Sequence, residues 1–222
     1  MRCAVLLATA VLIAGCSHTI TGHPESETST PPAGTSSSAL PPQTTAPGAP
    51  PPDGAAATDV IAWVEVGEQI DTGPFHTATR DGTSRDLGED IAFLSGTTRC
   101  MTDQKYAADT LMCLVDLADP PPKPDSAYGE WIGGWVDYTG ADLQVGSVHG
   151  DPGPFSKGDG ADLPEGQTLR FGDFRCRAHD SDLYCVNYAH QSAVRMSAAG
   201  VVPFGCLDSV PAPEGVGLKF AC

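Results

Sequence analysis

Apolar and polar positions repeat with two different periods along this chain. From Thr58 to Gly67 the apolar residues Val60, Ile61, Trp63, Val64 and Val66 recur at helical spacing, which predicts one short amphipathic helix. Thr58 is placed to cap its start, Asp59 suits the positive end of its dipole, and Gly67 can end it. Trp63 reads as a core residue of that face. Beyond Gly67 the period shortens. Phe75 to Thr79 and Thr83 to Leu87 flank Arg80-Asp81-Gly82, and Asp-Gly is a strong hairpin signal. Further short strands are expected at Ile91–Phe93, Leu111–Leu117, Trp135–Tyr138, Leu143–Val145, Leu169–Phe171, Leu183–Tyr188 and Ala193–Met196. Short strands separated by turn residues predict a mainly β fold. The expected domain, residues 57–222, is a small antiparallel sandwich or barrel-like structure with one short N-terminal helix.

The start of the chain follows a different pattern. Arg2 and the apolar run Ala4–Ile13 have the order of a secretory leader over residues 1–15. The run closes with Leu12-Ile13-Ala14-Gly15-Cys16. It resembles a bacterial lipobox, in which small residues fit a peptidase pocket and the Cys thiol forms the thioether to a diacylglycerol. Cys16 is therefore the expected lipidation site, and the membrane is the expected partner through it. Two or more acyl chains give stable anchoring, at about 0.8 kcal/mol per buried CH₂. Residues 17–56 hold nine Pro, many Ser and Thr, and no aromatic residue. Such a stretch cannot bury enough apolar surface to offset its ordering entropy. Residues 16–56 are thus expected to be a disordered tether, placing the domain on the outer face of the cell membrane.

An exported chain is expected to oxidise its thiols. Beyond Cys16 there are six: Cys100, Cys113, Cys176, Cys185, Cys206 and Cys222. None of their spacings is CxxC-like, so a zinc site is not expected. Six Cys allow fifteen pairings, but a repeat favours one. Gly96-Thr97-Thr98-Arg99-Cys100 matches Gly172-Asp173-Phe174-Arg175-Cys176, and Leu111-Met112-Cys113 matches Leu183-Tyr184-Cys185. Each copy reads as a strand, a variable loop and a returning strand, across which facing Cys can bridge. This predicts 100–113 and 176–185, and leaves 206–222.

Composition narrows the function classes. Twelve basic against 28 acidic residues give a net charge of −16, a poor match to phosphate backbones, so nucleic acid is not an expected partner. Gly and Pro together make up 45 of 222 residues and only 18% are charged, which speaks against a coiled coil or charged bundle. No Gly-x-Ser-x-Gly pentad is present to mark a serine hydrolase. His190 and Ser192 lie two apart with no third member marked. His149-Gly150-Asp151 reads as a turn whose Asp bonds its own backbone. The pairs Glu89-Asp90 and Asp180-x-Asp182 read as solubilising charge, and Asp159-Gly160-Ala161-Asp162 is too sparse for a calcium loop. No catalytic residue, metal or cofactor is expected. The most suggestive cluster is aromatic: Tyr128, Trp131, Trp135 and Tyr138, with Gly133-Gly134 between them. Such faces stack on sugars and anchor protein partners, although small β domains also bury them.

The stretch from about Ile91 to Ser197 resembles a disulfide-hairpin ectodomain common in secreted and lipid-anchored actinobacterial proteins. The resemblance is carried by Ser95 to Cys100, the Pro-rich loop Pro120-Pro121-Pro122-Lys123-Pro124, His149-Gly150-Asp151 and the second Gly-x-x-x-Cys hairpin. Tyr128-Gly129-Glu130-Trp131 and Val186-Asn187-Tyr188-Ala189-His190 extend it towards mycobacterial envelope lipoproteins. Members often carry another Cys pair, at positions filled here by Ala127 and Val148. The resemblance implies an envelope lipoprotein and carries over no catalytic residue. The expected function is a non-enzymatic binding or structural module whose partner is an envelope protein or glycan. The alternative is a hydrolase acting on envelope polysaccharide or lipid.

Overall fold

The computed structural model describes residues 48–149 and 151–222. The expected leader, Cys16 and the tether up to residue 47 lie outside the described residues. Residues 48–56, which composition assigns to the tether, contact the domain. Pro51 is buried, the Trp63 indole Nε1–H donates to the Gly48 carbonyl at 3.4 Å, and Asp53 pairs with Arg195 at 2.7 Å. These contacts are with distant residues, so the Pro-rich local composition hides them.

Helix α1 (Ala57–Glu65) opens the regular structure, with Ala56 rather than Thr58 at its N-cap. Gly67 N–H closes the helix onto the Val64 carbonyl. Val60, Trp63 and Val64 are buried, whereas Val66 lies past the last turn and is 75% exposed, off the apolar face. Among the described residues sixteen strands follow in chain order. They are β1 (Glu68–Gln69), β2 (Thr77–Arg80), β3 (Thr83–Asp86), β4 (Ala92–Ser95), β5 (Thr98–Asp103) and β6 (Ala107–Leu114). Next come β7 (Trp131–Tyr138), β8 (Asp142–Val148), β9 (Ala161–Asp162), β10 (Gln167–Phe171) and β11 (Phe174–His179). The chain ends with β12 (Asp182–Asn187), β13 (Ser192–Ser197), β14 (Gly200–Phe204), β15 (Asp208–Val210) and β16 (Val216–Ala221). Among the described residues no helix is long and apolar enough to cross a membrane.

Two sheets carry the fold, one ordered β1-β10-β11-β12-β13-β14, the other β15-β16-β8-β7-β6-β5-β4-β9. All pairs within them are antiparallel except the two-residue pairs β1–β10 and β4–β9. The main core lies between the sheets and includes Phe93, Leu111, Tyr138, Leu143, Leu169 and Leu183. Each sheet is also covered on its outer face. Helix α1 covers the six-stranded sheet, packing Val60, Trp63 and Val64 on Tyr184, Val186, Ala193 and Phe204. The hairpin β2–β3 and a 3₁₀ turn at Gly153–Lys157 cover the other, burying Ala78 and Phe155 on Ala92, Met101, Met112 and Trp135. The β2–β3 turn is made by Asp81 and Gly82, both at positive φ (51° and 75°), which is the pattern that matches strand twist in a two-residue loop.

Among the described residues Cys100–Cys113 and Cys176–Cys185 pair as the repeat predicts, and the remaining two join as expected in Cys206–Cys222. In both hairpin copies the cysteines face each other directly across antiparallel neighbours, with Cα atoms 4.1 Å apart. Three such bonds mark an extracytoplasmic domain. The strand pattern read from sequence stops at Met196, yet β14, β15 and β16 follow and complete both sheets.

Candidate functional site

The aromatic cluster splits along strand β7. Trp135 and Tyr138 are 2% and 0% exposed, whereas Tyr128 is 86% exposed and Trp131 is half-buried. Tyr138 points into the main core, where its hydroxyl donates to Ser192 Oγ at 2.8 Å and Ser192 in turn donates to the Gly140 carbonyl at 2.6 Å. Burial pushes the Tyr138 phenol well above its ordinary pKa. The four aromatics therefore do not form one binding patch: alternation along the strand turns Tyr138 inward and Trp135 to the covered outer face.

Trp135 anchors a compact group. Its ring is stacked on that of His149 at 3.4 Å and meets Phe155 edge-on at 5.2 Å. Its Nε1–H donates to Asp137 Oδ1 at 2.8 Å. His149 Nε2 lies 2.6 Å from Ser147 Oγ. Burial lowers the His149 pKa, against the pull of Asp137 and then Asp151. Burial raises that of Asp137, opposed by the Trp135 hydrogen bond and by His149. The turn after His149 behaves as expected, with Asp151 Oδ1 accepting from Gly153 N–H at 2.7 Å. Lys157 fastens the 3₁₀ turn by pairing with Asp103 at 3.3 Å and Asp90 at 3.7 Å.

Trp131 sits at the other end of β7 and serves a loop. Its Nε1–H donates to the Pro121 carbonyl at 3.1 Å. Its ring lies against Gly146 and Gly217, where a Cβ would come within 2.7 and 3.3 Å of ring carbons. The indole thus pins the segment Leu117–Pro124 over the end of the sandwich. Ala118 N–H donates to the Ala198 carbonyl at 2.9 Å, and Lys123 Nζ donates to the Gly129 carbonyl at 2.8 Å. Under this strap runs a cleft of about 590 Å³. It opens where the six-stranded sheet ends at β14 and the other sheet continues through β16 to β15. Val145, Val201 and Leu218 line it together with the strap residues. Leu218 pairs directly with Val145, so it shares the core-facing side of the sheet, yet it is 47% exposed. Leu218 and Val201 lie on β16 and β14, past the last strand expected from the sequence pattern.

The other sequence candidates do not converge. Ser192 is buried and fully engaged with Tyr138 and Gly140, while His190 is exposed. Asp90 accepts from Thr102 Oγ1 and Gln104 N–H, Asp182 faces Arg195 at 3.7 Å, and Asp159 pairs with Arg99 at 3.2 Å. Among the described residues no three His, Cys, Asp or Glu side chains are set to hold a metal ion.

No family model, curated protein or solved structure matches this chain.

Proposed function

We propose that the chain is a lipid-anchored lipoprotein of the cell envelope, held on the outer face of the membrane through Cys16, whose domain binds an envelope protein or glycan without chemistry of its own. The lipobox-like run Leu12–Cys16 and the Pro-rich segment after it support the anchor; the resemblance to actinobacterial envelope lipoproteins supports the setting. The observation that carries the binding role is the strap-covered cleft, which leaves Leu218 half in water on the core-facing side of its sheet. Exposed apolar surface flanked by polar residues is the usual mark of a contact site. Two measurements test the reading. Cys16→Ala should abolish partition into the detergent phase; a variant that still partitions like wild type removes the anchor. A partner retained by the wild-type domain from solubilised membranes should be lost by Leu218→Asp at unchanged melting temperature. Equal retention by both removes the cleft as the binding surface.

A hydrolase acting on envelope polysaccharide or lipid is the second reading, and the 2.6 Å Ser147–His149 contact is the observation that favours it. Against it, Ser147 is only 8% exposed, so a substrate carbonyl could reach Oγ only after the covering turn moves. Labelling of Ser147 by a fluorophosphonate, lost in His149→Ala, would support this reading over simple binding.

A further inference from the structure

At the end of the sandwich opposite the strap, the turns between strands enclose a second cavity, of about 170 Å³. At about 30 Å³ per water it has room for a compact group of roughly six heavy atoms. Phe171 and Phe174 line it, their rings stacked on each other at 5.6 Å. Asn187 lines it as well, 3% exposed. Its Oδ1 accepts from His190 N–H at 3.1 Å, and its amide nitrogen makes one long donation, to the Thr139 carbonyl at 3.4 Å. The second N–H of that amide has no partner among the described residues. The side chain is held in place from beneath by Gly140, where a Cβ would collide with it, and by the neighbouring Tyr138–Ser192–Gly140 chain of hydrogen bonds.

The rim carries one sign of charge. Glu89, Asp109 and Asp173 stand around it, and no Lys or Arg lines it. Glu89 and Asp173 sit in turns and Asp109 near the start of β6, and none of the three side chains has an ion-pair partner within 4 Å among the described residues. A cavity combining an aromatic wall, a buried amide donor and three carboxylates complements a cation with a short skeleton and one acceptor atom. The three carboxylates are exposed, so they favour a cation over a neutral or anionic group through a modest field that salt screens.

We propose that this cavity binds a small free organic ammonium ion that also carries a hydroxyl or carbonyl oxygen: the ammonium faces the carboxylate rim, the skeleton lies on Phe171 and Phe174, and the oxygen accepts from Asn187. The site is independent of the strap-covered cleft. The turn before β13 contributes His190 here, whereas Gly200, at the start of β14 beyond the other end of β13, lines the cleft.

The test uses the full chain and two probes of the same length, 4-aminobutanol, cationic at neutral pH, and the uncharged 1,4-butanediol. Amide and aromatic resonances are followed by NMR. The amine should shift the Asn187 side-chain amide and the Phe174 ring saturably, with a Kd of roughly 1–10 mM, as so small a ligand permits. The diol should bind at least about ten-fold more weakly, the loss of about 1.4 kcal/mol, and added salt should weaken the amine. Asp173→Asn and Asp109→Asn should each weaken the amine several-fold at unchanged melting temperature. Asn is the replacement of choice at Asp109, whose φ is 56°, because Asn tolerates that conformation. Equal shifts by amine and diol, no saturable shift by the amine, or unchanged binding by both Asn variants would overturn the proposal. Tighter binding by N-acetyl-lysine amide than by aminobutanol would also overturn it, because the group would then belong to a polypeptide side chain.

Discussion

Trp131 and Trp135 stand four residues apart on one strand and do different work. Trp135 is sealed between its sheet and the Gly153–Lys157 turn, stacked on His149 and touching Phe155. Trp131 is half-buried and spends its N–H on a loop carbonyl. Between them the register of β7 against β8 shifts, from Ile132↔Ser147 to Val136↔Val145. An irregularity of that kind re-aims side chains on either side of it. Residue type and spacing made these two residues look like one cluster; the irregularity divides them into a core residue and a strap pin.

That division can be broken experimentally. The largest effect should come from Trp135→Ala, which empties a closed site and should cost about 3–5 kcal/mol of stability by denaturant unfolding. A loss below about 1 kcal/mol would mean that the covering turn contributes little. Trp131→Ala should cost less, about 1–3 kcal/mol, because part of the ring already meets water. Its signature should be faster proteolysis between Leu117 and Pro124, unlike Trp135→Ala, which should expose the 153–157 turn. Trp131→Phe isolates the single hydrogen bond to Pro121 and should cost about 0.5–1.5 kcal/mol.

The smallest effect is in pH. The His149 pKa lies below its ordinary value of 6.5 in the fold, so on acidification the unfolded chain takes up this proton first. Stability should therefore fall as pH drops through the window from 6.5 down to the lowered folded value. Asp137 acts in the opposite sense. Its folded pKa is raised above 3.8, so the fold binds that proton first and regains stability as pH falls through the raised value towards 3.8. His149→Phe keeps an aromatic ring on Trp135 and should flatten the first slope. An unchanged slope between pH 7 and 5.5 would show that His149 is not its source.

Much of the fold is legible along the chain because its signals are local. Asp81-Gly82 makes the turn its composition promises, and the repeated Gly-x-x-x-Cys hairpins give two of the disulfides. Strand β16 also carried a signal, Val216, Leu218 and Phe220 alternating with Gly217, Lys219 and Ala221, set close after the prolines and glycine of 211–215. Strand β14 includes Pro203, tolerated because β14 is an edge. The cleft and the cavity are illegible in the sequence for a different reason. The cleft is built from residues 117, 119–124, 145, 200–201 and 217–218, and the cavity from strand ends and turns spread between Glu89 and His190. Neither appears in any one window of sequence. The same holds for Pro51 and Asp53, whose Pro-rich neighbourhood reads as tether while Arg195 holds them to the domain.

That last contact has a mechanical consequence. A pull on the chain ahead of Gly48 does not act on the sheets first. The load falls on the Gly48–Trp63 hydrogen bond and the Asp53–Arg195 ion pair, which must yield one after the other, and then on α1, which can be peeled from β12 and β13 while the sheets stay intact. At the other end, residue 222 is bonded covalently to Cys206, so unravelling from that side meets a closed ring. The domain is thus asymmetric under tension: a sacrificial clasp and helix at the N-terminal side can absorb extension before the β-structure and its cavities are disturbed.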